Sequence, residues 1–154
     1  MKNKIFLNLV PPTFAGFDRG LYNGYVAVYK DHPLFGKEYD DRIELPEATR
    51  KKIKFNGNWL GLIAESGKED EKISLDMVVE VHGGITYADS GESFTNLSGT
   101  PEGRGLNKLN EDWWIFGFDT AHAGDTMGEW TREKTLKEAR KLSRELNKVK
   151  TWLS

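Results

Sequence analysis

The segment from Trp113 to Asp125 constrains the fold most strongly, because an apolar, aromatic run ends there in a polar loop. The run from Trp113 to Phe118 has the length of a strand, and a loop with two carboxylates, an imidazole and a glycine follows it. Many folds build a site in this way, because the strand is rigid and the loop can approach a ligand. A second run, from Ile73 to Tyr87, ends in VHGGITY. We expect a site where these two runs meet.

Strict alternation predicts one continuous strand from Ile73 to His82. Apolar side chains occupy every second position on one face, and the other face carries mainly polar ones. A period of two over ten residues is typical of a half-buried strand. The pattern places His82 at the end of this strand, on the same side as Glu80.

The C-terminal part of the chain has the pattern of an amphipathic helix. Its apolar positions recur every three or four residues at Leu136, Ala139, Leu142, Leu146, Val149 and Leu153. Thr131 is the predicted N-cap of this helix. Shorter β-branched and aromatic runs predict further strands at 4–10, 24–29 and 59–64. The fold class that follows is α+β, a mainly antiparallel β-sheet with a C-terminal α-helix packed on it, in a single domain over 1–154.

Composition excludes several classes of protein. The chain has 154 residues, a net charge of −2 and no cysteine. Disulfides and thiolate chemistry are therefore absent, and a reducing cytoplasm is the expected location. A chain with this charge has no overall electrostatic attraction for a nucleic acid polymer or an anionic membrane. The apolar run before Pro11 is too short for a membrane span and lacks a cleavage pattern, so neither an anchor nor a signal peptide is expected.

Three histidines carry the candidate chemistry: His32, His82 and His122. Each lies in a turn or at a strand end beside glycine, proline or an acid. A surface or hydrogen-bonded role is the usual one for a single histidine, but three in similar settings favour convergence of at least two. We expect a site built from His82, Asp119, His122 and Asp125, which His32 could join from its own loop.

Three chemistries fit this group of side chains. Imidazoles and carboxylates suit zinc, manganese or iron, although the Asp119-x-x-His122-x-x-Asp125 spacing is not a recognised ligand motif. Two imidazoles can also act as acid and base on a phosphodiester without a metal. The third chemistry is binding alone, in which His and Asp contact hydroxyls or base edges. The residues leave all three open; no cofactor and no metal is assigned.

Several further residues are predicted to line a pocket. Gly83 and Gly84 could bring backbone amides close to an anion, although a tight turn explains them equally well. Tyr25, Tyr29 or Tyr87 could form a ligand wall. The polar stretch from Asp89 to Asp112, which contains Arg104, is predicted to be a long loop and either a lid or a plain insertion. The complete set of predicted ligand contacts is His82, Gly83, Gly84, Thr86, Tyr87, Arg104, Asp119, His122 and Asp125.

Four segments together resemble a family of small phage and prophage proteins: NGYVAV at 23–28, HPLFG at 32–36, VHGGITY at 81–87 and WIFGFDTAHAGD at 114–125. The resemblance covers roughly residues 20–150, and the last two motifs are its distinctive part. It implies a cytoplasmic protein made in an infected bacterial host. Other small phage proteins defeat bacterial immunity by sequestering or cleaving nucleotide signals. By analogy with those proteins, the resemblance suggests an anti-defence role but assigns no catalytic residue.

Three hypotheses follow for the function. The leading one is sequestration of a small nucleotide-type immune signal, such as a cyclic ADP-ribose isomer or a cyclic oligonucleotide. The second is a hydrolase that cleaves such a nucleotide with His82 and His122, with or without a metal on Asp119 and Asp125. The third is a protein-interaction module in which these side chains hold loops together. Whether the chain forms a homo-oligomer is not decided by its sequence.

Overall fold

The computed structural model describes residues 1–9, 20, 22–46, 72–97, 109–121, 124–126 and 128–153. The elements within these ranges are β1 (Lys4–Leu9), β2 (Tyr22–Tyr29), β3 (Arg42–Glu44), β4 (Lys72–Ser74), α1 (Leu75–Val78), β5 (Tyr87–Ser90), α2 (Gly91–Leu97), β6 (Trp113–Phe118) and α3 (Arg132–Leu153). The predicted strand at 59–64 lies outside the described residues.

The main sheet has four antiparallel strands in the order β1-β2-β6-β5. Its centre is the pairing of β2 with β6, in which Ala27 faces Ile115 and Val26 faces Phe116. β3 and β4 form a separate antiparallel pair, joined at the buried residues Ile43 and Ile73. The α+β class with a mainly antiparallel sheet is confirmed.

Both faces of the sheet are covered, because successive side chains of a strand point to opposite sides. Phe116 and Phe118 of β6 join the core that includes α3, whereas Trp113 and Ile115 join a second cluster that contains Phe94 of α2. The paired tryptophans therefore divide between the faces. Trp113 is buried in the second cluster, and Trp114 packs at the margin of the main core, where its indole N–H donates to the Lys37 carbonyl at 2.8 Å.

The helix α3 follows the predicted pattern. Ala139, Leu142, Leu146 and Val149 are fully buried against the sheet, and they stabilise its position by the hydrophobic effect. The Lys134 amide donates to the Thr131 hydroxyl at 3.2 Å, so the predicted N-cap is confirmed.

The prediction of one strand from Ile73 to His82 is wrong. Strand β4 ends at Ser74, and one turn of helix, α1, takes its place. The Ser74 hydroxyl bonds the Asp76 carboxylate, and the Leu75 amide donates to the Asp41 carbonyl at 2.8 Å. The turn buries both Val78 and Val79, which a strand would place on opposite faces. Val78 is the one apolar residue on the face that the strand prediction treats as polar. It is therefore the position in the sequence that departs from strand alternation.

The prediction of a loop from Asp89 to Asp112 is also wrong in its first part. Strand β5 extends to Ser90, and α2 occupies Gly91–Leu97. The Ser90 hydroxyl accepts the Ser93 amide at 3.1 Å, which is an N-cap contact, and Phe94 is buried in the second cluster. Residues 98–108, on which the predicted lid depends, lie outside the described residues.

Gly117 is expected to be intolerant of a side chain, because a Cβ there would overlap the ring of Tyr25 on the paired strand. We expect Gly117→Ala to lower the free energy of unfolding by about 1–2 kcal/mol through overpacking. Gly128→Ala is the matched control, since a Cβ at Gly128 has no atom within 4 Å. Urea denaturation followed by circular dichroism measures both variants, and equal stability of the two would contradict the close packing at Gly117.

Candidate functional site

The structure brings together two of the predicted site residues, His82 and Asp125. The His82 Nε2 atom lies 3.0 Å from each oxygen of the Asp125 carboxylate. His82 precedes a tight turn in which Gly83 and Gly84 have φ angles of 69° and 81°, values that glycine adopts readily. The Gly84 amide donates to the Val81 carbonyl at 2.9 Å and closes this turn. The glycine pair therefore sets the direction of the chain next to His82.

Trp130 completes the cluster and was not identified from the sequence. Its indole Nε1–H donates to Asp125 Oδ1 at 3.0 Å, and its ring lies against the His82 imidazole with centroids 4.1 Å apart. Asp125 is only 4% exposed, and a carboxylate is buried at low cost only when hydrogen bonds compensate for the lost water. The two ring N–H groups supply those bonds. The available signal was the position of Trp130 directly before the N-cap Thr131, where an apolar residue often packs on the helix start.

The Asp125 carboxylate determines the tautomer of His82. A carboxylate is an acceptor only, so Nε2 must carry the proton that it donates. In the neutral imidazole, Nδ1 then holds the lone pair and can serve as an acceptor or a base. The His82 side chain is 27% exposed whereas that of Asp125 is 6% exposed, so the histidine forms the accessible end of the pair.

An open groove of about 410 Å³ lies beside this cluster. Its lining comes from the segment before the glycine turn, from the residues just before α3 and from the first three turns of that helix: Glu80, Val81, His82, Glu129, Trp130, Lys134, Glu138 and Lys141. Lys134 Nζ lies 3.0 Å from the Glu129 carboxylate and 4.5 Å above the Trp130 ring. Lys141 Nζ lies 3.9 Å from both Glu80 and Glu138. Both lysines belong to α3.

The remaining predicted contacts divide between several places. Asp119, at the end of β6, accepts the Ala121 amide on Oδ1 at 3.1 Å, as in an Asx turn. Thr86 is exposed, and its amide donates to the Gly117 carbonyl at 2.9 Å. His122 and Arg104 lie outside the described residues, as does any contact of theirs with His82.

Tyr87 lies in the second cluster of the sheet, whereas Val81 and Trp130 beside His82 belong to the main core. Its ring packs edge-on against Tyr25 with centroids 5.5 Å apart, and its hydroxyl donates to Asp89 at 3.2 Å. Burial first, and the Asp89 charge second, raise the pKa of the Tyr87 hydroxyl. The structure therefore does not bring the Tyr87 side chain to the groove.

His32 is engaged elsewhere. It is buried, its Nε2 lies 3.1 Å from the Leu146 carbonyl of α3, and its Nδ1 accepts the Leu34 amide at 3.1 Å. Leu146 lies five residues beyond Lys141, the last groove residue of α3, and thus about 7.5 Å farther along the helix. His32 thus anchors its loop to α3 at a distance from the groove.

No family model, curated protein or solved structure matches the chain. Within the described ranges, no group of three histidine or acidic side chains is arranged to hold a metal ion. The helices in that part of the chain include none with the length and apolar character needed to cross a bilayer.

Proposed function

We propose that the groove beside His82 binds a small nucleotide-type ligand, and that the chain is a phage anti-defence protein that sequesters an immune signal of this class in the host cytoplasm. One observation carries the ligand site: His82 is held by a buried carboxylate and a tryptophan ring at the edge of an open groove. The phage role rests on the resemblance of the sequence motifs, and a ligand such as a cyclic ADP-ribose isomer or cyclic oligonucleotide rests on the analogy with other small phage proteins.

The groove supplies the groups that such a ligand requires. His82 Nδ1, as an acceptor, can receive a hydrogen bond from a ribose hydroxyl or a base amino group. Lys134 and Lys141 carry the positive charge that phosphate oxygens need. The volume of about 410 Å³ falls within the range of about 300–1,000 Å³ that is usual for small-molecule sites.

Both lysines are already paired with carboxylates, and this sets how an anionic ligand must bind. Lys134 contacts Glu129, and Lys141 contacts Glu80 and Glu138. The side chains of Glu80 and Glu129 are 84% and 55% exposed, so they can turn into water when a phosphate takes their place. Exchange of one exposed partner for another costs little, because surface ion pairs are worth about 0–1 kcal/mol.

The first test separates binding from cleavage. Purified protein is incubated with cyclic nucleotides and ADP-ribose derivatives, and the solution is analysed by mass spectrometry before and after heat denaturation of the protein. Sequestration predicts a ligand that is depleted before heating and recovered intact afterwards, and predicts that His82→Ala abolishes the depletion. Failure to deplete any compound in the panel, or depletion that His82→Ala leaves unchanged, would contradict the proposed site.

Charge substitutions in the groove are expected to change affinity in opposite directions. Lys134→Gln and Lys141→Gln should each weaken binding of an anionic ligand about tenfold, the usual effect of losing one charge-assisted hydrogen bond. Glu129→Gln should strengthen it, because Lys134 loses its competing partner. Calorimetric titration measures these changes, with Lys137→Gln as the control on the exposed, non-lining part of α3. Equal affinities for the Lys134, Glu129 and Lys137 variants would exclude this groove.

Hydrolysis is the second candidate, and the contact between His82 and Asp125 favours it. A carboxylate that fixes the tautomer of an imidazole is how many enzymes orient a general base. His82 Nδ1 would then remove the proton from an attacking water or hydroxyl group. The same mass spectrometry experiment distinguishes this function, because a hydrolase returns products of changed mass and a sequestering protein returns the ligand.

A further inference from the structure

The backbone before the glycine turn is held by two carboxylates of α3. The His82 amide donates to Glu138 Oε1 at 2.8 Å, and the Glu80 amide donates to Glu145 Oε1 at 3.2 Å. The intervening side chain, Val81, is buried in the main core. In residues 79–82, the core therefore fixes the side chains of Val79 and Val81, and α3 fixes the amides of Glu80 and His82.

The two contacts are spaced unequally on the two elements. In an extended segment, the amides of alternate residues point to the same side and lie about 6.8 Å apart. Glu138 and Glu145 are seven residues apart, which is two turns and about 10.5 Å along a helix. Glutamate side chains are long and flexible enough for both carboxylates to reach the amides despite this difference in spacing. Two carboxylates of α3 thus accept the backbone amides of alternate residues before the glycine turn.

Glu138 differs from Glu145 in what lies next to it. Glu138 lines the groove and lies 3.9 Å from Lys141, whereas Glu145 pairs with Lys148 at 2.8 Å. Their side chains are 21% and 13% exposed. The two contacts are otherwise alike, since each is one carboxylate oxygen that accepts one backbone amide.

We propose that Glu138 is a positioning residue of the candidate site: it holds the backbone of His82 while Asp125 holds the imidazole. The two restraints come from different elements, because Glu138 belongs to α3 and Asp125 to the loop before that helix. Together they restrain both the backbone and the ring of His82 at the edge of the groove. The effect on ligand binding rests on the proposed function, whereas the effect on the His82 side chain does not.

The test compares Glu138→Ala with Glu145→Ala, which removes the equivalent contact at Glu80. Nitrogen-15 NMR of the imidazole reports the tautomer of His82. Titration with ADP-ribose measures the affinity of the groove for this ligand. For Glu138→Ala we expect the released backbone to weaken the contact between His82 and Asp125, and therefore a mixture of tautomers and affinity about tenfold lower. Glu145→Ala should change neither, and Glu138→Gln, whose amide oxygen can still accept the His82 amide, should retain the wild-type tautomer.

The possible outcomes test the positioning role of Glu138 independently of the proposed ligand class. An unchanged His82 tautomer in Glu138→Ala, or the same change in Glu145→Ala, would overturn the role of Glu138. If wild-type protein does not bind ADP-ribose, the tautomer measurement still decides this inference, and the ligand class is what fails. Should Glu138→Ala not fold, Glu138→Asp takes its place, because it keeps the charge but is one methylene too short to reach the amide.

Discussion

Replacing Asp125 by alanine is expected to lower the free energy of unfolding by about 3 kcal/mol, because two ring N–H groups lose their common acceptor. The Trp130 indole and the His82 imidazole each donate to this carboxylate at 3.0 Å. Trp130 is 4% exposed, so water cannot easily replace the lost acceptor. Each buried donor left without a partner costs about 1–3 kcal/mol.

Two variants show whether the effect comes from these hydrogen bonds. Asp125→Asn keeps one oxygen acceptor but turns the other oxygen into a donor, so we expect a loss of about half that of the alanine variant. Asp112→Ala removes an exposed carboxylate that pairs with Lys30 at 3.5 Å, and it should cost less than about 0.5 kcal/mol. Urea denaturation followed by circular dichroism measures all three. An Asp125→Ala variant as stable as Asp112→Ala would show that the buried carboxylate does not hold the cluster together.

The sequence was sufficient to predict the elements whose pattern is local. The helix α3 and its N-cap Thr131 follow from periodicity and from one capping residue. The sequence also predicts that the two candidate segments lie close together. In the structure His82 and Asp125, 43 positions apart in the chain, are in contact. Both residues come directly from the two motifs that the sequence singled out.

What could not be predicted depends on contacts between distant elements. The groove needs Lys134 and Lys141, and no pattern within a helix tells which of its exposed lysines will face another segment. The position of Tyr87 was missed because the alternation of a strand does not continue through the turn at Gly83 and Gly84, where φ is positive. Beyond that turn, the pairing of β5 with β6 determines the face of the sheet on which the Tyr87 side chain lies. In this pairing Tyr87 is opposite Gly117.

Acidification is expected to destabilise the fold through His32, the buried histidine that bonds α3. Burial is the main cause that lowers the pKa of His32 below its ordinary value of 6.5, and the Lys150 charge adds to it. The Leu146 carbonyl and the Asp31 carboxylate act in the opposite direction and raise it. Asp31 itself faces the N-terminal amino group at 3.5 Å and Lys150 at 3.9 Å. The neutral imidazole is favoured in the native state because its Nδ1 must accept the Leu34 amide.

The sign of the pH dependence follows from which state binds the proton first. As the pH falls through about 6.5, the unfolded chain takes up a proton on this histidine while the native state does not, so stability decreases. The decrease stops below the lowered pKa, and its slope for one proton cannot exceed about 1.4 kcal/mol per pH unit. His32→Asn keeps an acceptor for the Leu34 amide but does not titrate. Urea denaturation at several pH values should therefore give a shallower slope below pH 6.5 for this variant, and equal slopes would rule out His32 as the source.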